Sequence, residues 1–87
     1  MAKFMAVHTL PTFNGDNIEA RIAQVTKAIP QGFTWIQTYG DYTSHKFFCE
    51  WSAPSKEALE QVFKGMNIPV DAVYPVQVYN VAQKKFV

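Results

Sequence analysis

Along this chain the spacing of apolar residues switches between alternation and a helical repeat, and each switch marks an element. Residues 3–10, KFMAVHTL, read as a strand closed by Pro11 and the turn-rich NGDN of residues 14–17. Ile18, Ile22, Val25 and Ile29 then recur at helical intervals up to PQG at 30–32, with Asp16 the expected N-cap and Glu19 in capping-box spacing. FTWIQTYG at 33–40 and HKFFCEW at 45–51 are rich in aromatic and β-branched residues, and DYTS between them predicts a hairpin. Pro54 and Ser55 open a second helix whose apolar face is Ala58, Leu59, Val62, Phe63 and Met66, and GMNIP ends it. A last strand, AVYPVQVYNV, is expected over residues 72–81.

The order β-α-β-β-α-β predicts an α+β, ferredoxin-like fold whose antiparallel four-stranded sheet has the order 4-1-3-2. Pro75 suits the edge position that this order gives strand four. Strict alternation places Phe33, Trp35 and Tyr39 on one face of the second strand, with Ile36 on the other, and sets Phe47, Cys49 and Trp51 of the third against Phe48. Two helices cover only one face of such a sheet, and the second face is not cleanly polar. A homodimer packed sheet against sheet, a dimeric α/β barrel, is the economical cover.

Composition sharpens this picture. The 87 residues make one domain, 1–87, near the lower end of what a single core supports, and one cysteine rules out an internal disulfide. A chain that is 48% hydrophobic and only 17% charged has a thin polar coat, which again favours association. The net charge of +1 on scattered lysines gives no electrostatic footprint for nucleic acid. No segment approaches the ~20 apolar residues of a membrane helix. The free cysteine and the lack of an export pattern give the expectation of a cytoplasmic protein.

Candidate chemistry is sparse. His45, Cys49 and Glu50 are close in sequence, but four strand residues separate His45 from Cys49 by ~13 Å, and Glu50 faces away from Cys49. Cys49 is therefore read as packed. Antiparallel pairing brings His8, His45 and Asp71 toward one rim of the sheet, and two imidazoles with a carboxylate suit a divalent first-row transition metal. Trp35, Tyr39 and Trp51 are candidates to line a ligand cavity. No organic cofactor motif is present.

Three blocks, KFMAVH, FFCEWSAPSKEAL and NIPVDAVYPV, resemble a family of small bacterial domains that includes a nickel-binding, nickel-responsive protein. The resemblance implies a ferredoxin-like homodimer that binds Ni2+ or a similar ion, and it touches His8, Cys49 and Asp71. The leading expectation is thus a non-catalytic, metal-binding homodimer. Its rivals are a cofactor-free monooxygenase or isomerase, with a histidine as base beside the aromatic cavity, and a dimer that binds only a ligand or partner.

Overall fold

The computed structural model describes residues 2–87. Strand β1 (Ala2–Thr9) leads to helix α1 (Ile18–Ala28), the hairpin of β2 (Thr34–Asp41) and β3 (Lys46–Ala53), helix α2 (Lys56–Gly65) and strand β4 (Ala72–Pro75). The sheet order is β2-β3-β1-β4, all antiparallel, so the expected α+β sheet forms with β2 and β4 at its edges. Pro75 ends β4. The chain does not continue as a strand to residue 81; it turns into a two-residue-a-side hairpin of β5 (Tyr79–Asn80) and β6 (Lys85–Phe86). Pro75 stands opposite Phe4, and the Val76 amide still donates to the Lys3 carbonyl at 3.0 Å before the chain leaves β1.

One face of the sheet carries the core. Phe4, Ala6, Phe47, Cys49, Trp51, Ala53 and Val73 are buried there against Leu59 and Phe63 of α2. Helix α2 is firmly seated, since both of those residues are essentially solvent-free and the Ser55 hydroxyl caps it by accepting from the Ala58 amide at 3.1 Å. Helix α1 differs in both respects. None of its residues is buried, and its N-cap is Asn17, not Asp16, with no side-chain cap bond. Asn14 organises the preceding turn instead, its amide oxygen accepting from the backbone of Asp16 at 2.8 Å and Asn17 at 3.2 Å. An Asx turn has taken the place of the expected capping box.

Strand β2 corrects the alternation drawn from sequence. Trp35 pairs with Trp51, but Gln37 pairs with Glu50, so Ile36 is an extra, bulged residue. Beyond it every side chain changes face relative to a regular strand. Thr38 now lies opposite Cys49 on the helix side and Tyr39 opposite Phe48 on the open side. Trp35 and Tyr39 therefore do not share a face. Gly40, opposite Phe47, is tightly enclosed: a Cβ there would stand 3.1 Å from the Phe47 ring and 3.2 Å from that of Tyr42, and those rings would have to give by a few tenths of an ångström.

The open face holds Lys3, Met5, Val7 and Thr9 of β1, Phe48 and Glu50 of β3, Tyr39 of β2 and Tyr74 of β4. Phe48 is 40% exposed, Tyr39 57% and Tyr74 55%. Glu50 is nevertheless buried, because Lys3 and Gln37 close over it.

Candidate functional site

His8 points to the helix side from near the end of β1, one residue before its last, opposite Phe47, and is 2% exposed. Its Nδ1 donates to the Pro69 carbonyl at 2.7 Å, which leaves Nε2 as the acceptor of a neutral ring. The edge of Phe63 meets the imidazole at 4.9 Å between centroids. Burial lowers its pKa below the usual 6.5, opposed by the Pro69 bond and by the charge of Asp71. A neutral imidazole is therefore built into the core.

Asp71 precedes β4, and its carboxylate turns to the opposite side of the sheet. There Oδ2 accepts from the Thr9 hydroxyl at 2.6 Å and from Lys46 Nζ at 3.2 Å. The Thr9 bond, then the Lys46 bond, hold its carboxyl below the ordinary carboxylate range. His45 stands in the β2–β3 turn with φ 58°, and its carbonyl accepts from the Leu10 amide. Its Nδ1 is shut off from solvent without a hydrogen-bond partner. Nearby, Asp41 accepts from the Ser44 hydroxyl at 2.7 Å, which lowers its pKa, with a smaller contribution from His45.

These placements bear directly on metal chemistry. Imidazole and carboxylate are suitable nickel donors. Among the described residues, however, no three His, Cys, Asp or Glu side chains group closely enough to hold an ion. His8 faces the interior, Asp71 the open face and His45 the turn. The topology draws their backbones to one end of the sheet without joining their side chains.

A different constellation does form. Between α1 and the sheet lies a small cavity of about 30 Å³, walled by Trp35, Phe47, Trp51 and Phe63, with His8, Thr38 and Cys49 also lining it. Trp35 and Trp51 stack at 5.5 Å with their planes 5° apart. The Trp35 indole donates to Thr38 Oγ1 at 2.7 Å, across the bulge. Trp51 Nε1 has no partner. Cys49 is packed, and burial pushes its thiol up to about 11 despite the opposing bond with Thr38. Tyr39, on the open face, is not part of the cavity wall.

On that open face Glu50 receives Lys3 Nζ at 2.9 Å and Gln37 Nε2 at 2.8 Å. Its pKa is lowered, first by the Lys3 bond and then by that of Gln37. Sequence reading missed this trio and the Thr9–Asp71–Lys46 cluster. Both follow from strand register, and the alternation of charge with apolar residues in Lys3-Phe4-Met5 and Phe48-Cys49-Glu50 was the available signal.

The model of the family described as "Nickel responsive protein SCO4226-like" matches residues 4–76. The chain belongs to that nickel-responsive family. Its fold also superposes on the crystal structure of SCO4226 from Streptomyces coelicolor A3(2), with a TM-score of 0.68 and 23% identity over 91% of this chain and 100% of that one. At this identity the likeness shows a shared fold. No curated protein sequence matches the chain. The family match ends one residue after β4, so the β5–β6 hairpin lies beyond it. Among the described residues no helix is long and apolar enough to cross a membrane.

Proposed function

We propose that this protein is a non-catalytic homodimer that binds a divalent transition metal of the nickel kind, with the ligands shared between two copies. Membership of a nickel-responsive family over residues 4–76 carries the metal reading. The scatter of donors in one chain is the reason for dividing the ligand set. His45, with an unpartnered Nδ1, and Asp71, exposed at the rim, are the ligands each chain would supply, with water completing the shell. His8 is left out because its buried ring faces the core, on the side of the sheet away from the Asp71 carboxylate.

The open sheet face supports the dimer. Met5, Val7, Phe48, Tyr39 and Tyr74 form an apolar surface with no helix over it, and the acid within it is already paired with Lys3 and Gln37. Burying a carboxylate is costly unless its partners come with it, and here they do. A non-catalytic role is supported by the cavity chemistry. One imidazole stands among apolar walls, and the neighbouring thiol is held protonated.

Calorimetric titration of nickel into untagged protein, with light scattering alongside, tests this reading. Wild type is expected to be dimeric and to bind stoichiometrically. His45→Ala, Asp71→Ala and the face variant Phe48→Glu should each lose at least an order of magnitude in affinity, as loss of one good ligand or of the partner requires, and Phe48→Glu should be monomeric. Equal binding by a Phe48→Glu monomer would overturn the shared set. Absence of binding by wild type would overturn the metal role.

A further inference from the structure

Buried polar groups in well-packed cores find partners, and Trp51 departs from this. It is 1% exposed, forms a wall of the cavity under α1, and has an indole N–H without an acceptor. His8, on the same cavity, has its Nδ1 proton committed to the Pro69 carbonyl, so that Nε2 is a lone-pair acceptor. The remaining wall is ring and aliphatic carbon apart from Thr38, whose hydroxyl accepts from Trp35, and the protonated thiol of Cys49. Two of the residues that wall this mostly apolar pocket thus bring one unused donor and one acceptor.

The roof of this pocket is its weakest wall. It is formed by Ile18, Ile22 and Val25 of α1, a helix with no buried residue and no side-chain cap bond, whereas the α2 side is held by the fully buried Leu59 and Phe63. Outside, a groove of about 630 Å³ runs between α1 and the α2–β4 loop. Groove and cavity share Leu10, Phe13, Val25 and Ile68, so one layer of side chains separates them.

We propose that the cavity is a binding site for a small, single-ring aromatic molecule bearing one hydroxyl group, admitted when α1 moves outward. The ring would pack among Trp35, Phe47, Trp51 and Phe63, whose faces and edges suit an aromatic guest. A hydroxyl accepts one hydrogen bond and donates another, which matches the Trp51 donor and the His8 acceptor. A carboxylate would be buried without a cation, and a bare hydrocarbon would leave the indole N–H unpaired. At rest the space has room for about one water. A benzene-sized guest occupies an apolar cavity of about 150 Å³, so the roof must lift. This site is independent of the metal reading.

The two tryptophans provide the readout. In an amide-nitrogen correlation spectrum of the full chain they give two indole signals, one from Trp35, already bonded to Thr38, and one from Trp51. Titration with 4-methylphenol should move the Trp51 proton downfield and saturate, with affinity about tenfold above that for toluene. Val25→Trp, which fills the space under the roof, should abolish the response without altering nickel binding. Should that variant not fold, Trp51→Phe, which keeps only the His8 acceptor, should narrow the preference for 4-methylphenol over toluene by calorimetry. An unmoved Trp51 signal, equal binding of the two probes by wild type, or a hydroxyl preference undiminished by Trp51→Phe would overturn the proposal.

Discussion

His8 makes acid stability a direct test of the core. The imidazole is buried and its pKa lies below the 6.5 it has in the unfolded chain. Below about pH 6.5 the unfolded chain therefore binds a proton that the folded one refuses, and stability falls as pH falls until the folded pKa is reached. One such proton gives a slope of up to about 1.4 kcal/mol per pH unit. A domain of this size has a total stability of roughly 4–13 kcal/mol, so a single unit removes a substantial share. His8→Phe keeps an aromatic ring beside Phe63 but titrates nothing. It also leaves the Pro69 carbonyl without its donor, at a cost of roughly 1–3 kcal/mol at pH 8. Urea unfolding followed by circular dichroism between pH 8 and pH 5.5, at one fixed protein concentration, should show a variant that starts lower and declines less steeply. Differences between the two curves isolate His8, because every other titrating group is common to both. Parallel curves would refute the buried, neutral imidazole.

Cys49, with its thiol raised to about 11, should resist a thiol reagent at pH 8 in the native protein and react at once in denaturant; rapid native labelling would show that the strand opens or that the thiol is exposed. Ser55→Ala should cost about 1 kcal/mol by removing the α2 cap, whereas Asp16→Ala should cost almost nothing, measured by the same unfolding assay. Lys3→Met should raise the pKa of Glu50 toward its unfolded value, visible in carboxyl carbon chemical shifts, and so shrink the stability that Glu50 contributes at neutral pH and loses on acidification.

Element order, sheet order and the facing of β3 were legible because they rest on long, strongly patterned segments. Cys49 and Trp51 alternate with Phe48 and Glu50 as a strand must, and Pro75 marked an edge. What escaped is local. A bulge depends on one residue's backbone, and the apolar Ile36 fits a regular strand equally well, so Tyr39 was placed on the wrong face. Asn14 displaced Asp16 as organiser of the α1 entry because short amide side chains compete for the same backbone donors. For the candidate site, topology drew the backbones of His8, His45 and Asp71 toward one end of the sheet. It could not say that neighbouring strand positions send His8 to one side of the sheet and the Thr9–Asp71 pair to the other. The cavity itself depends on how loosely α1 is seated, which no apolar repeat encodes.

The bulge also changes what an insertion or deletion does to this protein. Removing one residue from a strand ordinarily inverts everything downstream of it. Here, excision of Ile36 would leave Trp35 followed directly by Gln37, an unbroken alternation in which Thr38 still meets Cys49 and Tyr39 still meets Phe48. The one position in the sheet where the chain is a residue too long is thus the one where shortening it preserves both surfaces, and where a homologous chain with a regular edge strand would align across a single gap.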